Sequence, residues 1–594
     1  MVPWTTRPAP PSSPDPDLLR PHAGEGYARA VTEATPPRDR GPRTPTPVDA
    51  VAERWVDVVC DLDPTVATWI GRPGRTGEHA DHSPEGHERL AAATRAALDE
   101  LDGVAPVDDV DRVTVDDLRA TLELDLEHHA RRSHLRDLNV IASPAQAIRE
   151  VFDLTPTSSE ADWADVASRA AGVPAALSGY VETLRLGRAE GVVPAARQVA
   201  EVAVQAERTA RGDGFFPQLA EGARLGDGTA LPDALAADLR ASAGQAAEAY
   251  GSFAAFLRDE LLPAAGEDDA VGRDAYELHS RRFLGAAVDL DETYAWALDA
   301  LARIVDEQER VAASIEAGAG VARAVALLDA DPARQLHGTD ALREWMQQLS
   351  DRAVASLAGT HFDVPEPLRR LECRIAPTQD GGVYYTSPSD DFSRPGRMWW
   401  SVPEGDDAFT TWRETSTVFH EGVPGHHLQL GTAVAQRATL NTWRRQLAGT
   451  SGHAEGWALY AERLMDELGW LDDPGDRLGM LFEQRLRAAR VVVDIGVHLG
   501  LRSPAGGRWD AGTALAFVGE HSSMTGAVLR FEVDRYLGWP GQAPSYAIGQ
   551  RLWQDLRAEV ARREGDRFDL RAFHDRALRL GGVGLDTLRR AVLG

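Results

Sequence analysis

Apolar residues recur at three-and-four spacing along most of this 594-residue chain, and that periodicity limits its fold more than any other feature. Residues 51–61, 89–101, 114–131, 163–188 and 482–500 all carry it, in runs too long for ordinary strands. Ser158-Ser159-Glu160 stands before the 163–188 run as a helix cap. Strand-like runs are few: 371–375, 383–386 and 397–402, the first two separated by the turn signal Asp380-Gly381-Gly382. The expected fold is mainly α, a large two-lobed helical body with a small β-sheet just before the segment that holds His420. Residues 1–46 are rich in Pro, Thr, Ser and Arg and read as a disordered tail. The body spans 47–594, with an N-terminal lobe of about 47–370 and a C-terminal lobe of about 371–594. No internal repeat is evident.

Composition removes several classes of function. A formal net charge of −29 argues against nucleic acid or an anionic membrane surface as partner. All 63 basic residues are arginine, so Schiff-base lysines, phosphate-loop lysines and Ser-Lys dyads are impossible. Two cysteines, Cys60 and Cys373, are too few for a thiolate zinc cluster or a disulfide framework. With no run of signal-peptide or membrane-span character, the expected setting is soluble and cytoplasmic.

Chemistry concentrates at residues 415–429, T-S-T-V-F-H-E-G-V-P-G-H-H-L-Q. A His-Glu pair in a helix with further histidines nearby suggests a metal hydrolase, in which imidazoles bind zinc and the glutamate activates water. The usual H-E-x-x-H spacing is absent, because Pro424 stands four residues after His420. In a straight helix His426 lies about 120° around from His420 and roughly 9 Å along the axis, and His427 about 10.5 Å along it. Two nitrogens on one zinc must lie within roughly 3.5 Å of each other. Neither histidine can meet His420 unless the helix is interrupted, and Pro424-Gly425 is where an interruption belongs. Looping out two residues gives His426 an effective four-residue spacing. The plain alternative is a helix-breaking Pro-Gly flanked by surface histidines.

A second segment, 453–467, places Glu455 and Glu462 on one helical face at i and i+7. Glu455, 35 residues past His420, suits the third ligand of a two-His-one-Glu site. Glu462 reads equally well as a solvated acid, and His453 stands close enough to compete as a ligand. In 482–500, Arg490, Asp494 and His498 follow at i+4, so Asp494 could fix the tautomer of His498 and leave its other nitrogen for an oxyanion. A lone pair of this kind is more often structural. The loop 539–550 presents Gln542, Tyr546 and Gln550 as hydrogen-bonding groups. Arg535 and Arg551 are candidate partners for a peptide carboxylate.

Together V-F-H-E-G-V-P-G-H-H-L-Q, E-G-W-A-L-Y-A-E, R-V-V-V-D-I-G-V-H and P-G-Q-A-P-S-Y-A-I-G-Q resemble the bacterial domain-of-unknown-function family 885 across roughly residues 50–590. That family is similar to the thermolysin-like (gluzincin-type) helical zinc peptidases around thimet oligopeptidase, whose motif reads roughly H-E-x-G-H. The resemblance implies a zincin-like fold and a metallopeptidase that binds Zn2+. It makes His420, His426 and Glu455 the metal ligands, Glu421 the general base, and Tyr546 and His498 the oxyanion stabilisers. The implied substrate is a short peptide. Two rival expectations are a zinc hydrolase acting on a non-peptide amide or natural product, and a catalytically silent helical scaffold.

Overall fold

Many helices open on a side-chain cap. Thr46 accepts the Asp49 N–H and Asp49 accepts the Thr46 N–H in return, which starts the helix Pro47–Leu62. Ser159 and Asp162 repeat the exchange at the head of the 31-residue helix Glu160–Glu190, at the cap expected there. The other periodic runs become Pro84–Asp102, Asp109–Ala130 and Pro474–His498. Most extend a turn or so beyond the apolar stripe, since their terminal turns carry caps and charges instead.

This computed structural model describes residues 43–376 and 382–594. Residues 1–42 of the expected tail, and Asp380-Gly381 of the expected turn, lie outside the described residues. Thr44–Gly594 close into one compact unit that is mainly helical. Among the described residues, no helix is long and apolar enough to cross a membrane.

The strand runs pair as a three-stranded sheet. Gly396–Trp400 is central, parallel to Leu371–Ile375 and antiparallel to Val383–Thr386. Gly396, Met398 and Trp400 of the central strand face inward, as the two-residue period requires. A two-stranded pair, Gln335–His337 with Ala408–Thr410, leads directly into the helix Thr411–Glu421.

Buried side chains form three principal cores. One runs from Leu138 to Leu261, another joins Val51–Leu122 to Trp443, and the largest takes residues from Tyr276 to Val592. In the largest, the helices Ser451–Glu467 and Ser545–Glu564 meet backbone to backbone. A Cβ on Gly456 would stand 2.4 Å from the Gly549 carbonyl carbon, and one on Gly549 would stand 2.2 Å from the Gly452 oxygen. Only glycine allows that approach. It brings Glu455 and Tyr546 within electrostatic reach of each other.

Candidate metal centre

The helix carrying His420 stops at Glu421, and a new helix, His426–Ala435, begins at His426. The interruption is therefore a complete break of four residues, Gly422 to Gly425, rather than a bulge within one helix. Pro424 has no N–H to continue the first helix. Gly425 folds back so tightly that a Cβ there would lie 1.9 Å from the His420 carbonyl oxygen. The return is tied by Gly425 N–H to Phe419 O at 3.0 Å and His427 N–H to Gly422 O at 3.2 Å. The Trp457 indole N–H donates to Pro424 O at 2.8 Å. The imidazoles of His420 and His426 end edge to face, 4.8 Å between centroids.

Three donors then converge. His420 Nε2 and His426 Nε2 lie 3.3 Å and 3.5 Å from Glu455 Oε2. Donors bonded to one tetrahedral zinc stand about 3.4 Å apart, so the set has the right spacing. Ligand atoms of His420, Glu421 and His426 also lie within 4.8 Å of one another. Behind them, His420 Nδ1 meets Glu462 Oε1 at 2.7 Å, and Gln484 Nε2 donates to Glu462 Oε2 at 3.2 Å. Glu462 is 2% exposed, a buried partner rather than a solvated acid. A carboxylate on Nδ1 favours the tautomer that leaves the Nε2 lone pair directed at the centre.

The clustered carboxylates and imidazoles shift one another strongly. Burial opposes charge on His420, yet Glu455 and Glu462 outweigh it and raise its pKa to about 10. Burial likewise opposes charge on Glu455, but the His426 and His420 imidazoles hold its carboxyl well below the usual range. Burial lifts the Glu421 carboxyl, and the two imidazoles only partly offset this. Glu421 Oε2 is buried without a hydrogen-bond partner, a costly state for a carboxylate unless a ligand or water meets it.

The remaining sequence candidates are placed as follows. His427 is not brought to the donor set. Its Nε2 bonds the Leu368 carbonyl at 2.9 Å and its Nδ1 meets the Tyr385 hydroxyl at 2.9 Å, so both nitrogens are used. His453 packs on Trp553, 5.5 Å between centroids, with Gln429 beside its Nδ1. Tyr546 is brought near. Burial raises its phenol, the Glu455 charge adds to that, and Arg535, Arg490 and Arg487 oppose it. The Arg490 guanidinium lies 5.2 Å from the Tyr546 ring centroid.

His498 is not brought near, which corrects its expected oxyanion role. It lies fourteen residues beyond Gln484 on the helix Pro474–His498, about 21 Å along the axis. Its Nε2 bonds the Tyr536 carbonyl at 3.0 Å, and burial lowers its pKa to about 4. Asp494 accepts from the Tyr276 hydroxyl at 2.8 Å and the Gly541 N–H at 2.9 Å. Arg551 pairs with Glu292, and Arg535 is held by Glu532 and Gln542. Sequence reasoning left Glu462 undecided and passed over Gln484 and Tyr385. Only the i, i+7 relation of Glu462 to Glu455 signalled any of the three.

Comparison with known proteins gives a consistent fold. The profile of a family described as bacterial protein of unknown function, DUF885, matches residues 64–592. A crystal structure from Colwellia psychrerythraea, described as a candidate lipoprotein, is 22% identical with a TM-score of 0.80, over 92% of this chain and 98% of that one. A candidate lipoprotein of unknown function from Shewanella oneidensis is 16% identical with a TM-score of 0.71, over 93% of this chain and 100% of that one. No curated protein matches the chain.

Proposed function

We propose that this chain, which belongs to the bacterial family DUF885, is a thermolysin-like, zincin-type zinc hydrolase that cleaves peptide bonds of short peptides. One observation carries the reading: His420 Nε2 and His426 Nε2 converge on Glu455 Oε2, beside a buried Glu421 oxygen that has no partner. His420, His426 and Glu455 would hold the ion, with Glu462 and Gln484 fixing the His420 ring from behind. A zinc ion there would supply Lewis acidity towards water and the substrate carbonyl.

The protein groups do the rest. Glu421 accepts a proton from the attacking water and returns it to the leaving nitrogen, a role its raised pKa suits. The Tyr546 hydroxyl, which makes no hydrogen bond among the described residues, donates to the carbonyl oxygen as negative charge develops. One such donor is typically worth about 3–4 kcal/mol of transition-state stabilisation.

The test is a panel of two- to ten-residue peptides set beside acylated amines, assayed with wild type and Glu421→Gln. Wild type should cleave peptides, while Glu421→Gln keeps zinc and fold and loses turnover. Turnover of Glu421→Gln within about tenfold of wild type would remove Glu421 as the base. Cleavage confined to the acylated amines would move the substrate class.

A further inference from the structure

A cavity of about 530 Å³ lies between the core that includes Leu138 and the core that includes Leu537. Its size is that of a small-molecule site. It stands apart from the metal centre: Leu537 on its wall follows Tyr536, whose carbonyl bonds His498, about 21 Å along the helix from Gln484.

Arg136 is an arginine on this wall without an ion-pair partner among the described residues. Its half-buried guanidinium lines the cavity and makes no ion pair or side-chain hydrogen bond with any of the described residues. Enclosure alone lowers its pKa, and no carboxylate acts on it. The other arginine on the wall, Arg282, is neutralised by Asp125 at 3.1 Å. The adjacent carboxyl, Asp137, interacts with Arg282 rather than with Arg136.

Two histidines on the wall, His279 and His128, add no competing charge. Burial lowers His279 to about 3 and His128 to about 4, so both are neutral near pH 7. A half-buried guanidinium without a carboxylate partner is free to take an anion from solution. The segment that presents Arg136 is fixed. Tyr180 donates to the Asp137 carbonyl at 2.5 Å, and Asn139 Oδ1 accepts the Ile141 and Ala142 N–H groups. Phe283 and Trp539, edge to face at 5.4 Å between centroids, give the same cavity an aromatic surface.

We propose that this cavity binds a small organic carboxylate with an aromatic or apolar body, the carboxylate on Arg136 and the body against Phe283 and Trp539. A guanidinium accepts a carboxylate in paired, parallel hydrogen bonds, and aromatic faces supply apolar area for the rest. The site does not depend on the metal-hydrolase reading.

Calorimetric titration with N-benzoylglycine tests it, using full-length protein as purified and after chelation of metal. Saturable one-to-one binding is expected, with equal affinity in both preparations. The uncharged N-benzoylglycinamide should bind at least about tenfold more weakly, because it lacks the ionised acceptor. Arg136→Gln should weaken N-benzoylglycine to the same extent and leave zinc content and melting temperature unchanged, since Arg136 supports no other group. Arg310→Gln, at an exposed position away from this cavity, should bind as wild type does. The proposal fails if N-benzoylglycine does not saturate, if the amide or Arg136→Gln binds equally well, or if binding requires the metal.

Discussion

Replacing Glu462 with glutamine removes the charge behind His420 while keeping the shape of the side chain. The contact at stake is His420 Nδ1 to Glu462 Oε1 at 2.7 Å, between residues that are 6% and 2% exposed. A buried bond to an ionised acceptor contributes about 1.5–3 kcal/mol, against about 0.5–1.5 for a neutral one. The difference, roughly 1–2 kcal/mol, corresponds to about five- to thirtyfold weaker zinc binding at about 1.4 kcal/mol per decade. Gln484 adds to the effect. Its amide now donates to Glu462 Oε2 at 3.2 Å, and it would face a second amide that can satisfy only one neighbour as acceptor. Competition against a chromogenic chelator measures the zinc constant, and circular dichroism melts establish that the fold is retained. Glu462→Ala leaves Nδ1–H unpaired and should weaken zinc further. If Glu462→Gln holds zinc within about twofold of wild type, Glu462 does not set the tautomer or basicity of His420, and the reasoning fails.

His426→Ala should lose stoichiometric zinc, whereas His427→Ala should keep it and lose about 2–3 kcal/mol of stability, because Tyr385 and the Leu368 carbonyl are left unpaired. Metal analysis and urea melts separate the two, and the reverse pattern would transfer the ligand to His427. Gly425→Ala should also lose zinc although no donor changes, because its Cβ meets the His420 carbonyl oxygen at 1.9 Å; full metal occupancy would show that the turn relaxes without moving His426. Asp494 gives a pH signature. Burial pushes its pKa from 3.8 to about 7 against the Gly541 N–H, the Tyr276 hydroxyl and Arg535. The folded state therefore holds a proton that the unfolded chain releases near pH 4. The associated stability is complete below pH 4, falls as pH rises, and is lost above pH 7. Asp494→Asn keeps the acceptor and abolishes the titration, so it should melt above wild type at pH 8 and with it at pH 4. A lower melting point than wild type at pH 8 would overturn this.

Much of the candidate metal centre is legible in the chain because its logic is local. A zinc shared by His420 and His426 would forbid a straight helix between them, and Pro424-Gly425 is where the sequence offers a break. The break proves to be two helices rather than a bulge, since Gly425 turns back against His420 instead of continuing the spiral. Helical class, the cap at Ser159, and the short strands 371–375 and 383–386 follow from periodicity and turn chemistry in the same way. Periodicity, however, sets only the direction of a side chain around its own axis, not the element that it meets there. Glu462 shares a face with Glu455 by spacing alone, but its role came from the helix that carries Gln484 packing behind it. His498 shares a stripe with Arg490 by the same rule, yet the helix is long enough to carry it about 21 Å along the axis from Gln484. His427 is indistinguishable from His426 in composition, and it is Leu368 and Tyr385, more than forty residues earlier in the sequence, that draw it away from the centre.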